Sequence, residues 1–324
     1  MKNKKVLITG GLGFIGSNLA HTLVNQGAQV TIFDAKIKPY GFNEFNIADI
    51  RDKVQVIKGD VRSQKDIKPH IKHADYVYHL AGQVGRMISM EDPFFDLEVN
   101  CIGTLNILEL VRKYNPSAKI LFAGSRGEMG NPLTLPVDEK SLPLPTDIYG
   151  ANKLVAEHYL RIYHNAYDLQ TVTFRINNVY GPRCQMKSSH YGIVNLFLYY
   201  VFTGKEIPVF GKGLQTRDYF YIDDLTDAFL VASLSDKANG KVYFVGSGQE
   251  IKFIDMVKTI ISVMGKGSYR FEKYPEVLEK IDTKRFNCSI EAIKKDLGWK
   301  PKVALADGIE KTMAYYKKYL SHYE

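Results

Sequence analysis

Gly10, Gly13 and Gly16 stand three residues apart, between an apolar run at 6–9 and an amphipathic stretch at 14–25. A short apolar run reads as a buried strand, and apolar residues at helical spacing read as a helix. The glycines therefore occupy the turn between the two. Lacking side chains, Gly10 and Gly13 permit a tight turn and the approach of a pyrophosphate to the backbone, while Gly16 lets helix and strand pack closely. Free amides and the positive end of the helix dipole favour phosphate at this place, where Phe14 and Ile15 also enter the first turn.

The alternation continues with apolar runs at 29–33 and 54–58, a strand at 74–80 and one long helix at 94–113. A strand at 119–122, a helix at 148–166 and a strand at 171–175 come next. Right-handed crossovers turn that rhythm into an α/β fold, a Rossmann-type doubly wound parallel sheet. Beyond Gly181 the rhythm loosens. Helices are expected near 191–203, 223–233, 252–263, 289–297 and 305–319, with strands near 207–210 and 242–245. The expected division is a dinucleotide-binding domain at 1–180, regaining segments from about 215–245, and a smaller C-terminal α/β substrate-binding domain at 181–324.

Asp34 closes the second strand, roughly twenty residues after the glycines, where a carboxylate accepts hydrogen bonds from the adenosine ribose. It would repel a 2′-phosphate, so NAD is the expected cofactor, with Lys36 and Lys38 as the opposing feature. Tyr149 and Lys153 form YxxxK at the start of a helix, on one face and one turn apart. A lysine cation, with the positive nicotinamide ring, favours a phenolate that is able to take a hydroxyl proton. Ser125 sits just past a strand, at the sheet edge where ligands bind, placed to hydrogen-bond the same oxygen.

Composition removes several classes. Hydrophobic residues make up 45% and charged residues 24%, an ordinary globular balance. No apolar run approaches the roughly 18 residues of a membrane span, the apolar stretch near the start is too short for a signal peptide, and a cytoplasmic enzyme is expected. Three dispersed cysteines fit neither a disulfide framework nor a clustered metal site. The net charge of +8 comes from scattered lysines, which suits an anionic small substrate and not a nucleic acid.

TGGLGFIG (9–16), GD (59–60), HLAG (79–82), YGANK (149–153) and RINNVYGPR (175–183) occur in that order. With VFGKGLQTRDYFYIDDL (209–225) and LGWKP (297–301), the chain resembles the extended short-chain dehydrogenase/reductases, in the nucleotide-sugar epimerase and dehydratase family. The resemblance implies a Ser125, Tyr149 and Lys153 triad, with Lys153 also holding the nicotinamide ribose. It implies Asp60 and Val61 beside adenine, Leu80, Ala81 and Gly82 under the cofactor, and Asn100 as a support. His79 is expected to be structural. For the nucleotide-diphosphate sugar it implies Asn178, Arg217 and Arg285 at the phosphates and Phe210 near the base, with Val194 as a further substrate contact. The stretch 82–90, with Gln83 and Arg86, departs from the family pattern and is expected to shape the sugar pocket.

In the resembling 4,6-dehydratases an Asp-Glu pair comes after the active-site hydroxyl; here Arg126 and Gly127 stand there. A guanidinium supplies neither the acid nor the base of an elimination. An epimerase inverting carbon 4 is therefore expected, the alternative being a dehydratase or decarboxylase that uses Glu128, displaced by one position. A simple reductase would not need the phosphate-binding set, and a non-catalytic NAD sensor would not need the triad. Arg126 is either a contact to an acidic sugar or to a distinctive ring substituent, or a solvated loop residue. A homodimer is expected through the helices at 94–113 and 148–166.

Overall fold

In the computed structural model, which describes residues 1–38, 41–188 and 192–323 apart from the side chains at 277, 278 and 281, the runs rich in Val, Ile and Phe become parallel strands. Strands β1 (Lys5–Thr9), β2 (Gln29–Asp34), β3 (Val54–Lys58), β4 (Tyr76–His79), β5 (Lys119–Ser125) and β6 (Thr171–Ile176) lie in the order β6-β5-β4-β1-β2-β3. Both faces are buried, as continuous apolar runs require. On β1, Val6 and Ile8 join Leu19, Leu23, Leu225 and Phe229 under one face, while Leu7 joins Ile67, Ile107, Val111 and Leu160 under the other.

The order reverses between β1 and its two neighbours, β4 and β2, which opens a crevice at their carboxyl ends. Helix α1 (Phe14–Asn25) starts there, with Gly13 in the capping position. Helices α2 (Gln64–Ile71), α3 (Arg86–Glu91), α4 (Pro93–Leu97) and α5 (Gly103–Tyr114) come after it. The single helix expected over 94–113 is one helical body that widens into a π-turn at Glu98–Ile102. Such turns insert a residue into the hydrogen-bond ladder and recur at functional sites; this one carries the buried Asn100. The short α3 had no sequence signal.

Helix α6 (Ile148–Tyr167) is capped by Asp147, whose carboxylate accepts from the Gly150 amide at 2.8 Å. Beyond it, β7 (Asn178–Tyr180), α7 (Ile193–Phe202), β8 (Ile207–Phe210), β9 (Thr216–Arg217) and β10 (Tyr219–Tyr221) stand outside the main sheet. Tyr191, the expected start of α7, lies outside the described residues. After α8 (Ile222–Ser233), strand β11 (Lys241–Val245) joins the main sheet beside β6, making it seven-stranded. The C-terminal helix occupies Leu305–Tyr319. Among the described residues, no helix is long and apolar enough to cross a membrane.

Candidate active site

A cavity of about 700 Å³ runs from the glycine turn, over the carboxyl ends of β1, β4 and β5, to β7, β9 and α7. At its first end the walls are backbone. Gly10 has φ +69°, and a Cβ there would lie 2.8 Å from the Ala81 amide nitrogen; a Cβ on Gly16 would lie 2.4 Å from the Gly10 carbonyl oxygen. Phe14, Ile15, Val61, Leu80, Ala81 and Gly82 line the same end. Asp34 accepts from the amides of Lys36 (2.9 Å) and Leu12 (3.1 Å), and burial raises its carboxyl against those bonds. The Lys36 ammonium pairs with Glu44 at 2.5 Å. Burial would also raise Asp60, but the Arg62 guanidinium and amide outweigh it and hold that carboxyl below its usual range.

His79 lies beneath this floor, bonded through Nδ1 to the Thr9 hydroxyl (2.9 Å) and through Nε2 to that of Thr104 (3.0 Å). Burial, with a smaller push from the Lys153 cation, takes its pKa down to about 3. A ring so held serves as a neutral strut.

At the middle of the cavity, Ser125 ends β5 and Tyr149 and Lys153 sit on the first turns of α6. The Ser125 hydroxyl is within hydrogen-bonding reach of the Tyr149 phenol. Gly150 explains the close fit of helix and loop, since a Cβ there would lie 2.5 Å from the Gly127 carbonyl oxygen. Lys153 donates to the Ala123 carbonyl at 3.0 Å, and burial lowers its pKa to about 8. Burial pushes the Tyr149 phenol well up, opposed by Ser125 and reinforced by Glu128, Asp96 and Asp147. In the protein alone burial and the neighbouring carboxylates thus disfavour the phenolate.

Asn100 is not in the cavity wall. It donates to the Gln83 carbonyl at 3.1 Å, while its Oδ1 is buried without a partner; a Cβ on Gly82 would lie 2.9 Å from that oxygen and 3.1 Å from the Lys153 ammonium. Gln83 Oε1 is also buried and unpartnered. A glycine cradle, a carboxylate held for ribose hydroxyls and orphaned acceptors beside a lysine together fit a dinucleotide.

The far end is lined by long side chains. Asn178, Val194, Phe210, Arg217, Arg86 and Arg126 all face it. Arg217 is clasped by Asp282, which also bonds the Tyr274 hydroxyl, and Phe210 packs on the Tyr274 ring at 5.4 Å between centroids. Arg86 pairs with Asp147, the cap of α6, at 2.5 Å. Arg126 is not a solvated loop residue: it is half-buried, and its Nε donates to Asn178 Oδ1 at 2.5 Å. One expected contact fails. Arg285 is exposed, pairs with Glu250 at 2.8 Å and lies outside the cavity, because the segment after Asp282 turns its side chain to the surface. Asp282 and Tyr274 had no sequence signal, since only folding brings them to Arg217.

Glu128 points inward, but away from the cavity. It closes a capping box on Ser125, accepting from that amide at 2.7 Å, and meets Arg175 at 3.2 Å, which in turn pairs with Glu157 at 2.7 Å. Fully buried beside a second carboxylate, it is raised well above its ordinary pKa. Its place is structural, under the loop that carries Ser125.

A doubly wound sheet with a glycine turn at its crevice and a Ser-Tyr-Lys group over the middle strands defines a dinucleotide-dependent short-chain dehydrogenase/reductase type of site. The family model described as GDP-mannose 4,6 dehydratase matches residues 7–312, and the chain belongs to that nucleotide-sugar epimerase and dehydratase family. It is 33% identical to a putative UDP-glucose 4-epimerase of Methanocaldococcus jannaschii, over 96% of this chain and 98% of that one. Among solved structures it is similar to the Thermus thermophilus UDP-glucose 4-epimerase complex with NAD (TM-score 0.87, 29% identity, 97% and 99% covered). It is also similar to the Bacillus cereus UDP-glucuronic acid 4-epimerase in complex with UDP-glucuronic acid and NAD (TM-score 0.86, 28% identity, 97% and 99% covered).

Proposed function

We propose that the chain is an NAD-dependent nucleotide-sugar epimerase that inverts carbon 4 of the sugar through a transient 4-keto sugar. The observation that carries this reading is the commitment of Glu128 to Arg175 and to the Ser125 backbone. Ser125, Tyr149 and Lys153 are left without the acid-base pair that elimination or decarboxylation would need. Reversible oxidation asks only for the triad.

Gly10, Gly13, Gly16, Asp34, Asp60 and Val61 would hold NAD, and Lys153 and Asn100 would face its nicotinamide half. Bound there, NAD supplies a hydride acceptor and a positive charge. Tyr149 takes the proton of the sugar hydroxyl, with the Ser125 hydroxyl fixing that oxygen and Lys153, one turn further along the same helix, adding a positive charge. Asn178 and Arg217 orient the diphosphate, a task for which the planar guanidinium fork is suited. The segment before residue 181 is then the cofactor domain, and most of the chain beyond it forms the substrate domain. Phe94, Leu97, Ile102, Val155 and Ile162, exposed apolar residues on the two helical bodies expected to pair, support a homodimer, which light scattering would check. A cytoplasmic location is part of the same reading.

The test is incubation of the purified protein with a panel of sugar nucleotides, read by mass and proton NMR. Carried NAD and an isomer of unchanged mass are expected; loss of water or carbon dioxide overturns the proposal.

A further inference from the structure

The reaction just described gives Arg126 no task, yet the fold places a half-buried cation there. Arg126 directly follows Ser125, so its Cα lies about 3.8 Å from that of a residue bonded to the reacting oxygen. Its neighbours Arg86 and Arg217 have carboxylate partners in Asp147 and Asp282. Among the described residues Arg126 forms no ion pair: its Nε donates to Asn178, its guanidinium covers the Phe286 ring at 5.3 Å, and no described residue accepts from its two terminal nitrogens. Burial, then the charges of Arg217 and Arg86, bring its pKa down to about 9. An anion at those nitrogens would offset the repulsion from Arg217 and Arg86 and compensate the buried charge, and the fork geometry matches a carboxylate's two oxygens.

We infer that Arg126 is a specificity-determining residue that recognises a carboxylate on the sugar ring, and that the substrate class is an acidic sugar carried on a nucleoside diphosphate. This rests on the epimerase reading for its geometry. With the reacting hydroxyl on Ser125 and Tyr149, a substituent on an adjacent ring carbon would lie towards Arg126, which lines the same cavity. The diphosphate leaves the ring from the opposite carbon, towards Arg217.

The test uses the full-length protein loaded with NAD and calorimetric binding of matched pairs differing only at carbon 6, such as UDP-glucose and UDP-glucuronic acid, with GDP, dTDP and CDP pairs alongside. The acidic member of at least one pair is expected to bind roughly ten- to hundredfold more tightly, the worth of a charge-assisted hydrogen bond or two. Arg126→Gln should bring that ratio close to one, and Arg126→Lys, which keeps charge without the fork, should leave an intermediate ratio. No acidic preference in any pair overturns the inference. So does an equal loss for both members in Arg126→Gln, which would assign the guanidinium to the diphosphate. Inversion of neutral sugars without acidic preference would sink this inference and spare the epimerase; Arg126-dependent acid binding without inversion would do the reverse.

Discussion

The two ends of the cavity are made of different material. At the cofactor end the shape is backbone: Gly10, Gly16 and Gly82 stand where a Cβ would meet main-chain atoms, an orphaned oxygen or the Lys153 ammonium. At the sugar end it is side chain: three arginines, two of them clasped by Asp147 and Asp282. Backbone walls have no alternative rotamer, so the cofactor end tolerates only one kind of guest. Paired arginines are free to exchange one anion for another, and the sugar end is therefore where specificity is able to change while the fold stays the same.

The sharpest break lies between the two ends. Tyr149→Phe removes the acid-base group that both halves serve and should lower turnover about 10²- to 10⁴-fold with NAD content unchanged, measured by initial rates and by absorbance of released cofactor. A variant as fast as the parent would leave the mechanism without its base. Next in size, Gly16→Ala places a carbon against the Gly10 carbonyl and should yield protein stripped of NAD and destabilised by about 1–3 kcal/mol, read by denaturant melts. Arg217→Ala should spare NAD and weaken sugar-nucleotide binding roughly ten- to hundredfold, since it removes the guanidinium that Asp282 holds at the cavity wall. If both glycine and arginine variants lost NAD equally, the contrast between the ends would vanish.

Smaller effects sharpen the contrast. The Tyr323 hydroxyl donates to Asn46 Oδ1 (2.6 Å), Asn46 Nδ2 to the Leu12 carbonyl (3.0 Å), and the Leu12 amide to Asp34 (3.1 Å), so Tyr323 braces the Asp34 carboxylate. Tyr323→Phe should weaken NAD binding by about fivefold, the worth of roughly 1 kcal/mol, without changing sugar affinity. His79 gives the gentlest signal. Its folded pKa of about 3 lies below the unfolded value of 6.5, so the unfolded chain takes up a proton first and stability falls as pH drops from 6.5 towards 3. Melts across that window should show the slope, and Thr104→Val, which removes one partner, should alter it.

Local pattern carried most of the cofactor end. The glycine spacing, Asp34 after the next strand and YxxxK are periodic features whose geometry is set by neighbours in the chain, and the helix at Leu305–Tyr319 and strand at Ile207–Phe210 fall where apolar spacing puts them. The π-turn at Glu98–Ile102 carries no such mark, because one extra residue in a turn barely shifts the apolar period. Arg285 shows the opposite fault. Motif order places it beside the phosphates, and only the path of the chain decides that it meets Glu250 instead.

The sheet, its crevice and the places of Ser125, Tyr149 and Lys153 were determined by sequence alone, since each depends on spacings of a few residues that strands and helices convert directly into position. Tertiary structure alone decided that Glu128 is locked under Arg175, that Arg126 reaches Asn178, and that Asp282 returns to hold Arg217. The physical reason is that a long side chain's direction is set by the charges it meets across the fold. Those partners lie up to 65 residues away in the chain, a separation at which no local periodicity survives.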